Sequence, residues 1–385
     1  MLIGFDFQPR TRVIYGPGAI DRLGELAHAV GTHALLVTDP GIVAAGHVEQ
    51  ARGSLLAAGV DVTIFDRVRE NPTTREVDQC LEVARTARPQ LIIGLGGGSS
   101  MDTAKGCNFV LTNGGRMHDY WGVGKATKPM LPLIAVPTTA GTGSECQSFA
   151  LIADEETHQK MACGDPKAAP RAAILDPLLT VTQPRRVAAC TGIDAVAHAV
   201  ETAVTTKRNE LSWLYSREAF RLMTASFDCV FQQPDNLQAR AAMQLGAAYA
   251  GTAIENSMLG AAHSAANPLT ARFDIIHGQA VGIMLPHVVR FNAQQPESAA
   301  IYADLARFGG LANWNDDSPQ AVIALIARIE SLLQVSQLPL SLSALNVRHS
   351  QLPTLAEEAA AQWTAQFNPR PITASDFEAI YAAAL

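Results

Sequence analysis

Two pairs of residues in the second half of the chain have the types and spacing to hold a metal ion. Asp194 and His198 lie four apart in the run Thr191-Gly192-Ile193-Asp194-Ala195-Val196-Ala197-His198-Ala199-Val200-Glu201. On a helix that spacing puts a carboxylate and an imidazole on one face, within reach of a common ion. A plainer local reading competes with it. Thr191 with Asp194 fits a capping box at a helix start, and His198 fits a core histidine. His263 and His277 sit among small and apolar residues, in Leu259 to Pro268 and Ile276 to Val281. A buried histidine there needs a partner, because an unsatisfied buried polar group costs about 1–3 kcal/mol. One divalent ion satisfies several such groups together. A carboxylate and three imidazoles suit iron(II) or zinc, and ligand type alone does not choose between them.

The first half carries a different chemistry. Ile92-Ile93-Gly94-Leu95-Gly96-Gly97-Gly98-Ser99-Ser100-Met101-Asp102 is an apolar strand that runs into glycines and serines. Glycine lets a backbone approach a ligand closely. The helix that follows offers unpaired N–H groups and about half a unit of positive charge, which together bind pyrophosphate. The plain alternative is a strand-to-helix turn capped by Ser99 or Ser100. A second loop, Pro137-Thr138-Thr139-Ala140-Gly141-Thr142-Gly143-Ser144-Glu145, follows another apolar strand. It brings hydroxyls and glycines to the C-terminal end of a strand, where open α/β sheets bind ligands. Asp39, closing the strand ALLVT, is placed to accept hydrogen bonds from a ribose and to repel a 2′-phosphate, which favours NAD over NADP. Asp39-Pro40-Gly41 reads equally well as a turn.

Positioning these groups calls for two kinds of architecture. Apolar runs at 13–15, 34–37, 62–65, 91–93 and 133–136 alternate with helical stretches at 42–58, 74–86 and 100–111. That alternation predicts a parallel sheet covered on both faces. The texture changes near Asp176-Pro177 and Gln183-Pro184. Beyond them, alanine-rich segments such as 236–254 and 320–333 carry apolar residues at helical spacing. The tail, 351–385, reads as two helices around Asn368-Pro369-Arg370-Pro371. The division is an α/β domain over 1–180 and an all-helical metal- and substrate-binding domain over 181–385. A chain of 385 residues, 48% hydrophobic and 17% charged, is long enough for two cores and is not a disordered composition. A net charge of −7 with no basic tract argues against nucleic acid as a partner. No apolar run reaches 18 residues and no signal-peptide pattern opens the chain, so neither a membrane nor secretion is expected. The six cysteines form no CxxC pair and read as free thiols of a cytoplasmic protein.

In combination, GGGSSMDTAKG, PTTAGTGSE, GIDAVAHAVE and the segment from His263 to His277-Gly278 resemble the iron-containing (group III) alcohol dehydrogenase family. The likeness covers nearly the whole chain, in that family's order. It implies an α/β N-terminal dinucleotide-binding domain plus an all-α C-terminal domain, a dehydroquinate synthase-like architecture with the active site in the cleft between them. It implies a homodimer or a higher assembly. Carried over by motif, Asp194, His198, His263 and His277 match the ligands of iron(II), with zinc as the alternative. Gly96, Gly97, Gly98 and Ser99 match the pyrophosphate loop, and Thr138, Thr139 and Thr142 the second cofactor loop. Asp39 matches the residue associated with NAD preference, and Asn71 and Lys160 match positions that line the cofactor cleft. The activity implied is reversible hydride transfer between NAD(H) and a small alcohol or aldehyde.

One position departs from the pattern. Asn267 stands where many members carry a histidine assigned to proton relay, and an amide is no base near neutral pH. Asn267 and His277 are therefore the catalytic candidates beside the ion. His287 reads either as a substitute base or as a structural histidine. Phe149, Met258 and Phe273 read as core residues or as pocket walls. The rival chemistries are a dehydroquinate synthase-like NAD- and metal-dependent lyase, and a dehydrogenase specialised for a hydroxy acid such as 4-hydroxybutyrate. The lyase needs a basic cluster for a phosphorylated substrate, and lysines are scarce near the metal segments. A maleylacetate reductase-like enzyme works without this ligand set, and a non-catalytic protein would be expected to have lost part of it.

Overall fold

The structure, a computed structural model, describes residues 4–157 and 159–385. The chain forms two compact units, one over 8–183 and one over 184–385, with the segment that ends at Phe7 belonging to the second.

The first unit runs β1 (Arg12–Tyr15), α1 (Leu23–His28), β2 (His33–Val37), α2 (Pro40–Ala44), α3 (His47–Ala57), β3 (Asp61–Phe65), α4 (Thr74–Ala87), β4 (Leu91–Gly96), α5 (Gly98–Asn113), β5 (Gly122–Val123), β6 (Leu133–Pro137), β7 (Phe149–Ala153), β8 (Lys160–Gly164) and β9 (Ala172–Leu175). Six strands make a wholly parallel sheet in the order β1-β9-β6-β4-β2-β3. Neighbouring residues of each strand face opposite cores. Leu35, Val37, Ile92 and Ala135 pack with Val77 and Cys80 of α4 and Met101 and Cys107 of α5. Ala34, Leu36, Ile93 and Val136 pack with Leu23 and Ala27 of α1 and Val48 and Leu55 of α3. Burial on both faces is why these strands read as unbroken apolar runs. From β2 the chain steps outward to β3, then returns to the other side of β2 for β4. That reversal puts the C-terminal ends of β2 and β4 at a topological switch point, where ligands of such sheets bind.

Three local features differ from the sequence expectation, the first being that β9 was not among the apolar runs read as strands. The helical stretch 42–58 is two helices, broken at Gly46, whose φ of +83° only glycine adopts readily. A small second sheet, in the order β5-β8-β7, was not anticipated. Its strands are short, and one of them is just two residues. Phe149 lies across Gly164 in that sheet, where a Cβ would come within 2.4 Å of the ring.

The second unit has no strand among its described residues and is built of the helices α6 (Arg185–Thr202), α7 (Glu210–Gln232), α8 (Leu237–Ser257), α9 (Ala261–Phe273), α10 (His277–Asn292), α11 (Pro296–Phe308), α12 (Ser318–Ser336), α13 (Leu352–Ala360) and α14 (Ala374–Ala383). Helix α6 packs against α7, α8, α10 and α12 and is buried on every side from Gly192 to Thr202. Such a helix is apolar all round, so the few polar residues it carries stand out. It begins at Arg185, well before Thr191, which corrects the capping reading of Asp194. Asp194 is in the helix interior, and the Thr191 hydroxyl donates back to the Val187 carbonyl at 2.9 Å.

Helix α10 crosses α6 almost backbone to backbone. A Cβ on Gly278 would lie 2.0 Å from the Cys190 carbonyl oxygen. Replacing Gly278 by Ala therefore forces the start of α10 away from α6. Overpacking of this kind costs about 1–3 kcal/mol. The variant is expected to unfold at lower urea than the wild type, and an unchanged midpoint would contradict so close a crossing.

Candidate active site

Helix α6 presents Asp194, His198 and Glu201 on one face, at the i, i+4, i+7 spacing. His263 lies in the first turn of α9, and His277 opens α10. Asp194, His263 and His277 each bring one donor atom into a group whose members all lie within 4.8 Å of one another. Asp194 Oδ1 is the hub, 3.3 Å from His263 Nε2, 3.5 Å from His198 Nε2 and 3.9 Å from His277 Nε2. His198 flanks that group of three. It reaches Asp194, and its ring stacks on His263 with centroids 4.8 Å apart. Asp194, His198 and His263 are buried, and the His277 side chain is 20% exposed.

The electrostatics are those of a cation site. Burial by itself would raise the Asp194 carboxyl, but the imidazoles of His198, His263 and His277 outweigh it and hold the group well below the usual carboxylate range. Burial would lower His263, but the Glu201 and Asp194 carboxylates outweigh it and raise the imidazole to about 9. Asp194 Oδ1 and His263 Nε2 are nevertheless buried with no hydrogen-bond partner among the described residues. A carboxylate oxygen and imidazole nitrogens turned toward one point are a donor set that fits iron(II) or zinc.

The sequence reading gave no role to Glu201. Its Oε1 accepts a hydrogen bond from the Ala262 backbone N–H at 2.6 Å, and its Oε2 makes a short bond to His263 Nδ1. The available signal was its spacing, on the same helical face as Asp194 and His198. Asn267, one turn beyond His263, donates from Nδ2 to Gln362 Oε1 at 2.9 Å. His287 does not replace it as a base. Its charged neighbours are Arg290 and Glu330, and burial together with Arg290 lowers it to about 4, which makes it a weak base near neutral pH. Met258, at the end of α8, holds a positive φ of 68°, and Phe273 is the half-buried last residue of α9.

In the α/β unit three loops meet at the switch point. Helix α5 starts at Gly98 with Gly97 as its N-cap and no side-chain cap, so neither Ser99 nor Ser100 fills that place. The first N–H groups of a sixteen-residue helix are left for a ligand. Gly96 has a φ of +145°, and a Cβ there would strike the Ser100 hydroxyl at 2.5 Å. The second loop lies directly against the first. Thr138 N–H donates to the Gly96 carbonyl at 2.9 Å, and a Cβ on Gly98 would meet Thr142 at 2.6 Å and one on Gly97 would meet Thr139 at 3.4 Å. The Thr138 hydroxyl is buried without a partner among the described residues. Asp39 caps α2 through Gly41 and Ile42, and its other oxygen accepts from Ser100 Oγ at 3.4 Å. The turn reading of Asp39 therefore holds. Asn71, in the left-handed region at φ 51°, precedes Pro72, whose carbonyl accepts from the N–H of Ala153, and Ala153 pairs with Lys160.

Beneath these loops is a buried charge that sequence reading passed over. Lys105, fully buried, donates to the Ser144 carbonyl at 2.6 Å, the Ser144 hydroxyl at 2.7 Å and the Phe149 carbonyl at 2.9 Å. Ser144 Oγ in turn donates to Asp102 Oδ1 at 2.6 Å. One cation on α5 therefore ties the second loop to the helix that opens at the first. Burial holds Asp102 above the usual carboxylate range, against the pull of Lys105 and the Ser144 hydroxyl. Glu145 beside them is raised by burial to about 7.

Comparison with known proteins places this arrangement. A family model for iron-containing alcohol dehydrogenase matches residues 9–177, and the model for the C-terminal part of the Fe-containing alcohol dehydrogenase family matches residues 188–385. The chain belongs to the iron-containing alcohol dehydrogenase family. It is 34% identical over 383 residues to a 1,3-propanediol dehydrogenase of Klebsiella pneumoniae, covering 98% of each chain. It is 31% identical over 386 residues to an NAD-dependent methanol dehydrogenase of Bacillus methanolicus, covering 98% of this chain and 99% of that one. The crystal structure of a 1,3-propanediol oxidoreductase superposes with a TM-score of 0.95 at 33% identity, covering 100% of both chains. Membership makes the protein an oxidoreductase acting on CH–OH groups, and the lyase alternative is not favoured.

Glu145 provides a test of the buried network. Its carboxyl ionises near 4.5 when exposed and near 7 when folded. Between those values the unfolded chain has lost the proton and the folded chain keeps it, so stability falls as pH rises through this window. Glu145→Gln stays neutral. It is expected to match the wild type near pH 4 and to be more stable at pH 8, by on the order of 2–3 kcal/mol. Urea unfolding at the two pH values measures the difference. An equal effect at both would show that Glu145 is ionised as readily folded as unfolded.

Proposed function

We propose that this member of the family is a metal-dependent, NAD-linked dehydrogenase of small alcohols, which also reduces the corresponding aldehydes. The observation that carries the proposal is the cluster in which Asp194 Oδ1 and His263 Nε2 lie buried beside His277 with no hydrogen-bond partner among the described residues. Asp194, His198, His263 and His277 would hold a divalent ion, iron(II) or zinc. The uncapped start of α5, from Gly96 to Ser99, would bind the pyrophosphate of NAD, with Thr138, Thr139 and Thr142 beside it. Asp39 would accept from the adenosine ribose and exclude a 2′-phosphate. Asn71 and Lys160 would line the same cofactor site. When bound, the ion supplies Lewis acidity toward an alcohol or carbonyl oxygen, and the nicotinamide gives or takes the hydride.

The chain's own residues set the rest. The amide of Asn267 accepts no proton near neutral pH, so the alcohol proton leaves through water rather than through this side chain. His277, the most exposed imidazole of the cluster, is the one nearest to solvent. A small alcohol as substrate is supported by relatives whose names specify 1,3-propanediol and methanol. The proposal also takes the protein to be a cytoplasmic homodimer or larger homo-oligomer, in keeping with six free thiols.

Two measurements test this reading. Anaerobically purified, iron-loaded protein is expected to reduce NAD, followed by NADH absorbance, with one or more of a panel of short-chain alcohols. A chelator should abolish the rate and iron(II) or zinc restore it. Full activity without metal, or activity with NADP and none with NAD, overturns the proposal. In the same assay Asn267→His adds a group with a reference pKa of about 6.5. Its pH–rate profile is expected to gain an inflection near that value. A profile identical to the wild type would remove position 267 from the proton path.

A further inference from the structure

We infer that Glu201 is the positioning residue of the metal centre, fixing His263 in the one tautomer and orientation that can ligate. The inference rests on the metal-site reading above. A neutral imidazole ligates through one nitrogen only when the other carries the proton, and the partner of that second nitrogen decides which. His263 Nδ1 is bonded to Glu201 Oε2, and an ionised carboxylate only accepts. With an ion bound, the proton stays on Nδ1 and the Nε2 lone pair is free to ligate beside Asp194 Oδ1, 3.3 Å away.

The second oxygen of Glu201 fixes the backbone that carries His263. Helix α9 has Gly260 as its N-cap and no side-chain cap from its own segment. Glu201 Oε1 supplies the missing acceptor, taking the Ala262 N–H at 2.6 Å. One carboxylate on α6 thus holds both the first turn of α9 and the imidazole projecting from it. The chain makes room for this. A Cβ on Gly260 would lie 3.1 Å from Glu201 Oε1 and 3.3 Å from Asn368 Oδ1. Asn368 is itself held by paired amide bonds with Asn292 on α10, at 3.0 and 2.7 Å. Gly260 thus leaves open the space that the Glu201 carboxylate and the Asn368 amide occupy.

Glutamine at 201 keeps the size but offers one oxygen, so it can accept from His263 or from Ala262 and not from both. Zinc(II) is titrated into metal-stripped full-length wild type, Glu201→Gln and Glu201→Asp, with thermal unfolding of each metal-free protein in parallel. The wild type is expected to bind one zinc per chain. Both variants are expected to bind it about 10–100-fold more weakly. Their metal-free unfolding temperatures should fall far less than the loss of a ligand-bearing helix would require. A wild type that binds no zinc overturns the metal site itself. A wild type that binds, with variants within threefold of it, overturns the role of Glu201 alone. If the variants fail to fold, nitrogen NMR of histidine-labelled, zinc-loaded wild type decides. A protonated Nδ1 on His263 is expected, and a protonated Nε2 overturns the inference.

Discussion

A carboxylate buried among imidazoles inside a helical bundle is the constraint on which the second unit depends. Asp194 is 6% exposed and sits on the part of α6 that is buried on every side. Taking an ion from water into such a place is costly unless opposite charge and hydrogen bonds come with it. The chain provides them from three directions: His198 on α6 itself, His263 at the start of α9 and His277 at the start of α10. Those two helices have to begin where they do, because a histidine further along either would point elsewhere. Gly278 and Gly260 are consequences of the same demand. Each removes a Cβ that would push a ligand-bearing helix start off α6 or off the carboxylate that seats it.

The α/β unit solves a related problem in neutral form. A helix start with uncapped N–H groups is tolerable only where water or an anion satisfies them. The glycines at 96–98 bring the second loop into contact with the first, so the two form one surface. Lys105 keeps them together from below, through hydrogen bonds to Ser144 of that loop and to the Phe149 carbonyl of the strand after it. A buried ammonium is a demanding choice of tether, since removing any acceptor leaves an uncompensated charge. It also explains why the GGGSSMDTAKG and PTTAGTGSE segments read as a pair, because Asp102 and Lys105 of the first interlock with Ser144 of the second.

Much of this was legible from local sequence, and the reasons are physical. Parallel strands buried on both faces leave continuous apolar runs, so β2, β4 and β6 were visible at once. Amphipathic and alanine-rich periodicity announced the helical half. Residue types carried the chemistry, because only His, Cys, Asp and Glu commonly ligate a first-row metal, and glycines at a strand-to-helix turn suit a phosphate. What local sequence misjudged were boundaries set by neighbours. The start of α6 at Arg185 lies in a segment whose Thr191 and Asp194 imitate a cap. The break at Gly46 depends on one left-handed residue. In the β5-β8-β7 sheet, β5 is only two residues long, and β7 and β8 lie outside the alternation of strand and helix that made the main sheet legible.

Partnership was decided only by the folded chain. Asp194 and His263 are far apart in sequence, and their 3.3 Å approach follows from how α6, α9 and α10 cross. Glu201 looked like one more polar residue on a helix until α9 was brought to its oxygens. Lys105 had no role in the sequence reading, and its burial follows from the loop after β6 folding over it. Asn267 looked like the loss of a base, and folding gave it a different bond, to Gln362. Side-chain identity is written residue by residue, so the kind of chemistry could be read in one dimension. Which atoms share a proton or an ion depends on distances of a few ångströms between distant segments, and only tertiary packing sets those.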